Sequence, residues 1–199
     1  MAKLYFRYGV IGSGKSMTLL QIAHNYNEKN MEVLLVKPKL DDRDGINVES
    51  KVGLTRQVDY VFPPKIKIRS KLLLDNIKAI IVDNAHLLSP HQIDELFEIT
   101  KEDDIPVFCY GLRTDFQMKG FPGSTRLLEL ADDIEELKAV CKCGNKATQN
   151  LRHINGIPTF NGEQIMVENE EISYESVCGK CFLKFKKEFY NKENLWKKD

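Results

Sequence analysis

The chain has 199 residues, of which 42% are hydrophobic and 29% are charged, and its formal net charge is zero. This length suits one α/β domain of roughly 150 residues with a small appendage, and the neutral charge counts against a nucleic-acid-binding protein, which is usually basic. No apolar run approaches the roughly 20 residues that span a bilayer, and the N-terminus lacks a signal-peptide pattern. We therefore expect a cytoplasmic protein without membrane contact.

The first motif is Gly9-Val10-Ile11-Gly12-Ser13-Gly14-Lys15-Ser16, which fits G-x-x-x-x-G-K-[ST] at every fixed position. Glycines in such a loop let backbone N–H groups approach phosphate oxygens, the lysine neutralises their charge, and the serine hydroxyl can bind Mg²⁺. An apolar segment ending at Tyr8 precedes the motif, and apolar residues at helical spacing follow it as far as Glu28. This context predicts a phosphate loop, Gly9–Ser16, rather than an ordinary glycine-rich turn.

Two more strands are predicted in the first half of the chain. Residues 31–36 form a near-continuous apolar run, which is typical of a parallel strand covered on both faces. Residues 46–73 show no clear periodicity, with a break at 61–64. A third strand, 78–83, ends in Asp83. An aspartate that follows a phosphate loop in this way is expected to contribute to Mg²⁺ binding.

Helices and strands alternate in the next part of the chain. Ser89-Pro90 predicts a helix start, because serine caps helix N-termini and proline is favoured at the first helical position. A fourth strand is predicted over 105–110, a short helix over 124–131 and a last core strand over 137–140. The segment 111–117 leaves the fourth strand where α/β sheets bind ligands. The sequence thus predicts an α/β fold with a parallel sheet flanked by helices.

Four of the five cysteines form two close pairs, Cys141 with Cys143 and Cys178 with Cys181. Such pairs suit metal ligation in a reducing compartment, and four thiolates form the closed tetrahedral site of structural zinc. The first pair is one residue shorter than the usual C-x-x-C, and free thiols are the alternative. Asn-Gly turns at 155–156 and 161–162 indicate short hairpins between the pairs. We predict a zinc ribbon that carries a long β-loop.

The combination of these motifs resembles the thymidine kinases of the phosphate-loop and zinc-ribbon type, in their bacterial form. The likeness covers almost the whole chain. Beside the phosphate loop, it rests on five segments: Met1–Phe6, Asp41–Arg43, Cys109–Phe116, Cys141–Gly144 with Lys146–Thr148, and Tyr174–Cys178. With it, the expected organisation is a nucleotide-binding α/β domain over 1–140, a zinc-binding lasso domain over 141–190 and a tail over 191–199.

The resemblance implies a cytosolic homotetramer that transfers the γ-phosphoryl group of ATP to the 5′-hydroxyl of thymidine. Feedback binding of thymidine triphosphate is also implied. The phosphate loop, with Lys15, and Asp83 would hold ATP and Mg²⁺, and Arg43 would lie near the transferred group. Substrate binding falls to two sets of residues: Leu112, Phe116 and Phe121 as walls of the thymine pocket, and Val167 and Tyr174 in a lasso loop over 165–174, tethered by structural Zn²⁺.

One residue departs from the family pattern at the catalytic position. Family members have Asp-Glu-x-Gln-Phe, with the glutamate as general base for the 5′-hydroxyl, whereas this chain has Asp83-Asn84-Ala85-His86-Leu87. Asn84 cannot accept a proton, although its amide oxygen can accept a hydrogen bond. Loss of a general base usually lowers a rate about 10²–10⁴-fold, and phosphoryl transfer with a loose transition state depends less on its base. In an extended segment His86 would share a face with Asn84, so it is either a substitute base or a plain hydrogen-bonding residue.

Two other functions compete with a working kinase. Asn84 motivates a catalytically inactive protein of the kinase fold, a paralogue or an inactivated mutant, that binds nucleotide without turnover. The run Asp83–His86 also resembles the acidic box of helicases. A helicase needs two such domains, and 199 residues without net positive charge hold one.

Overall fold

The computed structural model describes residues 1–39 and 45–196, with side chains as far as residue 191. The chain divides into two units. The larger unit consists of Met1–Tyr8, Gly14–Arg113 and Phe121–Leu137, and the smaller unit consists of Gly9–Ser13, Thr114–Gly120 and the chain from Lys138 onward. Neither unit is continuous in sequence, because the first half of the phosphate loop and the segment after Arg113 belong to the smaller one.

The larger unit contains eight strands, three α-helices and one 3-10 helix within the described residues. In chain order they are β1 (Leu4–Tyr8), α1 (Lys15–Asn27), β2 (Val33–Pro38), β3 (Asn47–Glu49), β4 (Thr55–Gln57), β5 (Tyr60–Phe62), β6 (Ala79–Val82), the 3-10 helix (Ala85–Leu87), α2 (Pro90–Glu102), β7 (Val107–Gly111), α3 (Pro122–Leu130) and β8 (Asp133–Glu136). Six of the strands form one parallel sheet in the order β5-β2-β6-β7-β1-β8.

The sheet has an apolar cluster on each face. Strands β2 and β6 are buried along their whole length, as parallel strands between two helix layers are. Val36 of β2 packs in one cluster with Leu96 of α2, whereas its neighbour Leu35 packs in the other with Leu19 and Ala23 of α1. Successive side chains of a strand point to opposite faces, so α1 and α2 cover different faces. The predicted parallel sheet flanked by helices is confirmed.

The helix starts follow local capping chemistry. Ser89 accepts a hydrogen bond from the backbone of Gln92, and the Gln92 side chain accepts one from the Ser89 backbone, so α2 begins with a capping box and proline, as predicted. Helix α3 begins at Pro122, two residues earlier than predicted, because this proline takes the first helical position. None of the helices in the described part of the chain combines the length and apolar character needed to cross a membrane.

The last strand of the main sheet was assigned wrongly from the sequence. Strand β8 (Asp133–Glu136) pairs with β1, whereas the predicted strand 137–140 contributes only β9 (Ala139–Val140), which pairs with β10 (Lys146–Ala147) in a separate two-stranded sheet. Three of the four β8 residues are acidic. Charged residues protect an exposed sheet edge from pairing with other chains, and they also hide the strand from an apolar pattern.

The segment without periodicity holds short strands. A hairpin pairs β3 with β4, and β5 pairs with β2 at the other edge of the main sheet. The predicted break at 61–64 therefore begins inside a strand, which ends before Pro63. A strand of three residues is too short for its periodicity to be read.

The smaller unit contains β9, β10 and a three-stranded antiparallel sheet in the order β12-β11-β13, followed by α4. The bounds are β11 (Gln149–Ile154), β12 (Ile157–Thr159), β13 (Ile172–Val177) and α4 (Gly179–Trp196). Asn155 and Gly156 both have positive φ and join β11 to β12, which confirms the first predicted hairpin. The second Asn-Gly pair makes no hairpin, because β11 takes β13 as its other partner.

Candidate active site

The phosphate loop turns sharply just before α1. Gly12 and Gly14 have φ of 77° and 83°, a left-handed conformation that glycine adopts without strain. The Ser13 amide donates to the Val10 carbonyl across 3.2 Å, and α1 begins at Lys15. The Ser13 hydroxyl is buried and has no hydrogen-bond partner among the described residues. A buried hydroxyl without a partner, next to a helix N-terminus, fits a bound phosphate group.

Lys15 and Asp83 form the charged centre of the larger unit. The pKa of Lys15 is lowered to about 8, mainly by desolvation, with Asp83 raising it and Lys51 lowering it. Asp83 is buried, directly after β6. A half-buried ammonium group beside a carboxylate, at the start of a helix, matches the chemistry of a polyphosphate and its metal ion.

Asn84 lies in a turn rather than in the extended segment that the sequence suggested. Its φ is 51° and its ψ is 34°, and it precedes the 3-10 helix. The side-chain amide donates to an Asp83 carboxylate oxygen across 3.2 Å. Asparagine tolerates the left-handed conformation better than most residues do. The expected shared face with His86 is therefore absent, because that expectation assumed an extended chain.

His86 does not have the properties of a general base. Its side chain is buried, and its ring packs edge-on against Phe121 with 4.7 Å between centroids. Burial, with a contribution from Lys15, lowers the pKa of His86 to about 3, so the ring is neutral at physiological pH. The Nδ1 atom is buried and lacks a hydrogen-bond partner in the described part of the chain. The structure thus counts against His86 as the substitute base.

Helix α3 packs very closely on the turn that follows Asn84. A Cβ atom at Gly123 would lie 2.6 Å from the Leu88 carbonyl oxygen and 2.7 Å from that of Ala85. The hydroxyl of Ser124, the next residue, donates to the Leu112 carbonyl. Helix α3 thereby fixes two predicted pocket residues of the larger unit: Leu112 through this hydrogen bond and Phe121 through the start of the helix.

The other predicted pocket residues belong to the smaller unit. Arg152 of β11 is fully buried, and its guanidinium lies 3.6 Å from the ring centroid of Phe116 and 5.3 Å from that of Tyr174. Arg152 also donates to the Tyr174 hydroxyl across 2.9 Å. Phe116 and Tyr174 are thus brought together around one cation, whereas the side chain of Val167 is about half exposed, at 52%.

Arg152 and Tyr174 together hold the segment 163–166. Arg152 donates to the carbonyl oxygens of Glu163 and Gln164 at 2.7 and 3.1 Å, and the Tyr174 hydroxyl donates to that of Met166 at 2.8 Å. The Gln164 amide donates to buried Asp115 at 2.9 Å. The segment just before Val167 is therefore fixed by side chains from the sheet, although it contains no strand.

The four paired cysteines converge in the smaller unit. The sulfur atoms of Cys141, Cys143, Cys178 and Cys181 all lie within 4.8 Å of one another. A tetrahedral zinc ion with Zn–S bonds of about 2.3 Å separates its sulfurs by about 3.8 Å, so this spacing fits zinc. Hydrogen bonds lower the pKa of Cys143 to about 6, and the largest contribution comes from the Asn145 backbone. The donor set and its N–H···S hydrogen bonds fit a closed structural metal site.

A cavity of about 710 Å³ lies along α1 in the larger unit. Helix α1 contributes one wall, beginning at Met17, and the β3–β4 hairpin contributes the other, including Arg56. The Arg56 Nη1 atom is buried and has no hydrogen-bond partner among the described residues. An apolar cavity with an available donor is typical of a small-molecule site.

Sequence reasoning missed Arg152 and Asp115. Both are buried polar residues, and the contacts that tie them to the segment 163–166 join residues distant in sequence, so the local pattern does not distinguish them from surface charges. Arg43, which the family resemblance placed near the transferred phosphoryl group, lies outside the described residues. The remaining predicted residues occupy the places given above.

Comparison with known proteins identifies relatives over most of the chain. A family model for thymidine kinase matches residues 2–182. Curated thymidine kinases from Ruegeria pomeroyi, Chromobacterium violaceum and Mannheimia succiniciproducens are 40%, 41% and 43% identical, covering 90%, 92% and 89% of this chain and 93%, 98% and 93% of theirs. The crystal structure of Pif1 helicase from Candida albicans superimposes with a TM-score of 0.39 and 15% identity, over 68% of this chain and 36% of that one, a likeness too weak to carry an argument. The chain belongs to the thymidine kinase family.

Proposed function

We infer that the protein transfers the γ-phosphoryl group of ATP to the 5′-hydroxyl of thymidine. The observation that carries this inference is the phosphate loop with half-buried Lys15 beside Asp83, in a chain of the thymidine kinase family. In the reaction, the 5′-oxygen forms a bond to the γ-phosphorus, the bond from that phosphorus to the β–γ bridging oxygen breaks, and the hydroxyl proton is released.

The chain's own groups would stabilise the charge of the transferred phosphoryl group. Lys15 supplies a half-buried cation, and the loop amides next to α1 supply hydrogen-bond donors. The Ser16 hydroxyl and the Asp83 carboxylate are hard oxygen ligands of the kind that Mg²⁺ prefers, and bound Mg²⁺ neutralises phosphate charge. Arg43 is proposed as a further cation for this group.

The cavity along α1 is the proposed site for the adenosine of ATP. Its wall begins at Met17, two residues after Lys15, so a nucleotide whose phosphates lie at the helix N-terminus would reach it. Arg56 offers a donor without a partner in the described residues and a planar surface on which a purine can stack.

Thymidine is assigned to Leu112, Phe116, Phe121, Val167 and Tyr174 by the family resemblance. Two observations support this assignment. Leu112 and Phe121 are held by α3, and Phe116 and Tyr174 pack around Arg152. Aromatic side chains suit a planar pyrimidine. Whether deoxyuridine is also a substrate is to be measured directly.

The test is phosphorylation of radiolabelled thymidine by purified protein with ATP and Mg²⁺. We expect thymidine monophosphate in proportion to enzyme, and none when Mg²⁺ is removed with a chelator. Failure to form thymidine monophosphate above background, with ATP binding retained, would refute the inferred activity. A protein that binds ATP without turnover is the second candidate, which Asn84 favours because no carboxylate follows Asp83.

A homotetramer in the cytoplasm, inhibited by thymidine triphosphate, is proposed from the family resemblance. Light scattering of the purified protein gives the oligomeric state directly. Thymidine triphosphate is expected to compete with both substrates, because it carries the base of one and the phosphates of the other.

The cysteine cluster is proposed to hold one structural zinc ion. Cys178→Ala is expected to lose about one zinc ion per chain and to lower the melting temperature, because Cys178 is buried in the apolar core of the smaller unit. Cys109→Ala is the matched control, since Cys109 is equally buried but lies in β7 outside the cluster. Elemental analysis of both variants decides the point, and equal zinc contents would contradict the proposal.

Arg152 is proposed to hold the substrate segment. Arg152→Lys is expected to raise the thymidine KM about tenfold, because the guanidinium bonds Glu163, Gln164 and Tyr174 from three different nitrogens and the single nitrogen of lysine cannot replace them all. The released segment must then be ordered on binding. Steady-state kinetics measure this, with ATP affinity and melting temperature reporting on the fold. Arg126→Lys, on the surface of α3, is the control. Equal thymidine KM values in the two variants would contradict this role.

A further inference from the structure

The backbone of Ile11, in the first half of the phosphate loop, is hydrogen-bonded at both its amide and its carbonyl group. The Asn150 side-chain oxygen accepts a hydrogen bond from the Ile11 amide at 2.8 Å. The Ser176 hydroxyl donates to the Ile11 carbonyl. Both backbone groups of one loop residue are therefore bound by side chains, not left to water.

The two residues that hydrogen-bond Ile11 form a single cross-strand pair. Asn150 of β11 lies directly opposite Ser176 of β13. Asn150 is buried, and its amide nitrogen donates to the Thr114 carbonyl at 3.1 Å, which fixes the orientation of the side chain. Directly opposite residues on an antiparallel pair have neighbouring side chains on the same face. The pair thus presents one acceptor and one donor, which bind the amide and the carbonyl group of a single residue.

The preceding loop residue is anchored as well. Val10 is buried in an apolar cluster that also contains Cys141, Val177 and Cys178. The Ser13 amide also donates a hydrogen bond to the Val10 carbonyl, which closes the turn 10–13. The turn is therefore held by its own hydrogen bond and by contacts with the rest of the smaller unit. Fixing a glycine-containing loop before the ligand arrives removes the entropic cost of ordering the loop from the free energy of binding.

We propose that Asn150 and Ser176 are positioning residues for ATP, which hold the backbone of Ile11 and so keep the phosphate loop in its binding conformation. The proposal rests on the function inferred above. It adds two residues, remote in sequence from the motif, to the nucleotide site. Neither residue contacts the phosphates, since the backbone of Ile11 transmits the effect along the loop to Lys15.

The same face of the β11–β13 ladder continues to Arg152 and Tyr174, which are the next directly opposite pair on that face. Side chains on one face of the β11–β13 ladder therefore hydrogen-bond both the phosphate loop and the segment 163–166. A general disturbance of the ladder would weaken both phosphate and thymidine binding. Loss of the hydrogen bonds to Ile11 alone would weaken only phosphate binding. This difference gives the proposal a specific readout.

The experiment measures dissociation constants for inorganic tripolyphosphate, Mg²⁺-ATP and thymidine by calorimetry, using the full chain. Ser176→Ala is expected to weaken tripolyphosphate and ATP binding about tenfold and to leave thymidine binding unchanged, because one preorganising hydrogen bond is lost. Ser176→Thr retains the hydroxyl and is expected to restore the affinity. Ser173→Ala is the matched control, a serine on the same strand that is exposed.

Asn150→Ala provides an independent test from the other strand. It is expected to weaken tripolyphosphate binding to a similar degree, and the double variant is expected to lose less than the product of the two single losses, because both residues hold the backbone of one residue. Unchanged tripolyphosphate affinity in Ser176→Ala, an equal loss of thymidine affinity, or the same loss in Ser173→Ala would each overturn the proposal. Absence of thymidine turnover by a wild type that binds ATP would overturn the inferred function instead, since the dissociation constants still decide the role of the pair.

Discussion

Asn84→Glu is expected to raise kcat for thymidine phosphorylation about a hundredfold. The substitution restores a carboxylate at the position of the family's general base, and the lower part of the usual range applies because phosphoryl transfer depends mainly on positioning and charge. Glutamate is less suited than asparagine to the φ of 51° found here, so the variant is expected to lose about 1 kcal/mol of folding stability. Steady-state kinetics and thermal unfolding measure the two effects.

The rate gained in Asn84→Glu is also expected to depend on pH, because the new carboxylate titrates. It would lie beside buried Asp83, whose oxygen now accepts from the Asn84 amide. A second negative charge so close raises the pKa of one of the two carboxyls above the usual value of about 4.3. The base form exists only above that pKa, so the excess rate over wild type should grow as pH rises through it and then level off.

Asn84→Gln is the matched control for this variant. It introduces the same side-chain length and the same backbone strain, but no charge. If Asn84→Glu is no faster than Asn84→Gln, the missing base is not what limits this enzyme. A wild type that already matches Asn84→Glu would show that proton removal does not need a carboxylate here. His86, with its lowered pKa, would not explain such a result, and a water molecule would be the candidate.

Lys15→Met is expected to lower kcat/KM about a thousandfold without destabilising the fold. The variant removes the cation that would stabilise the transferred phosphoryl group, an effect of the size seen when preorganised electrostatic groups are lost. Burial disfavours the charged form of Lys15, so a neutral side chain of similar length relieves a desolvation cost. The melting temperature should stay the same or rise. Kinetics and thermal unfolding, with exposed Lys29→Met as the control, test both halves.

The same lysine predicts how ATP binding depends on pH. A polyphosphate anion binds the protonated ammonium form, and in the free protein that form is lost as pH rises through about 8. ATP affinity should therefore decrease between pH 7 and pH 9 in the wild type, and this decrease should be absent in Lys15→Met. An unfolding midpoint several degrees lower in Lys15→Met, or an unchanged pH dependence, would show that Lys15 has a structural role instead.

The parts of the fold with strong local signals could be predicted from the sequence. The phosphate loop, the buried strands β2 and β6 and the capped start of α2 each have a local cause: glycine conformations, uninterrupted apolar residues and a capping box. Strand β8 could not be predicted, because the main sheet positions it at an edge where acidic residues are favoured. The strand β5 owes its pairing to β2 alone.

The site was predictable to the extent that it consists of motifs. The phosphate-loop residues, Asp83 and the four cysteines follow from spacing and known chemistry. Other contacts arise from strand pairing between residues more than 20 positions apart. These are the hydrogen bonds of Asn150 and Ser176 to Ile11 and those of Arg152 to the segment 163–166. The left-handed turn at Asn84 likewise depends on packing against α3, which no local pattern reveals.

The contact at Gly123 restricts how this enzyme can acquire new substrates. Any side chain at this position would push the carbonyl groups of Ala85 and Leu88 away from α3 and displace the turn that carries Asn84. If Phe121 and Leu112 line the thymine pocket as proposed, shifting the helix that begins after Phe121 is not an available way to enlarge that pocket. Variants that accept bulkier nucleosides are then expected to carry smaller side chains at Phe121 or Leu112 on an unchanged backbone.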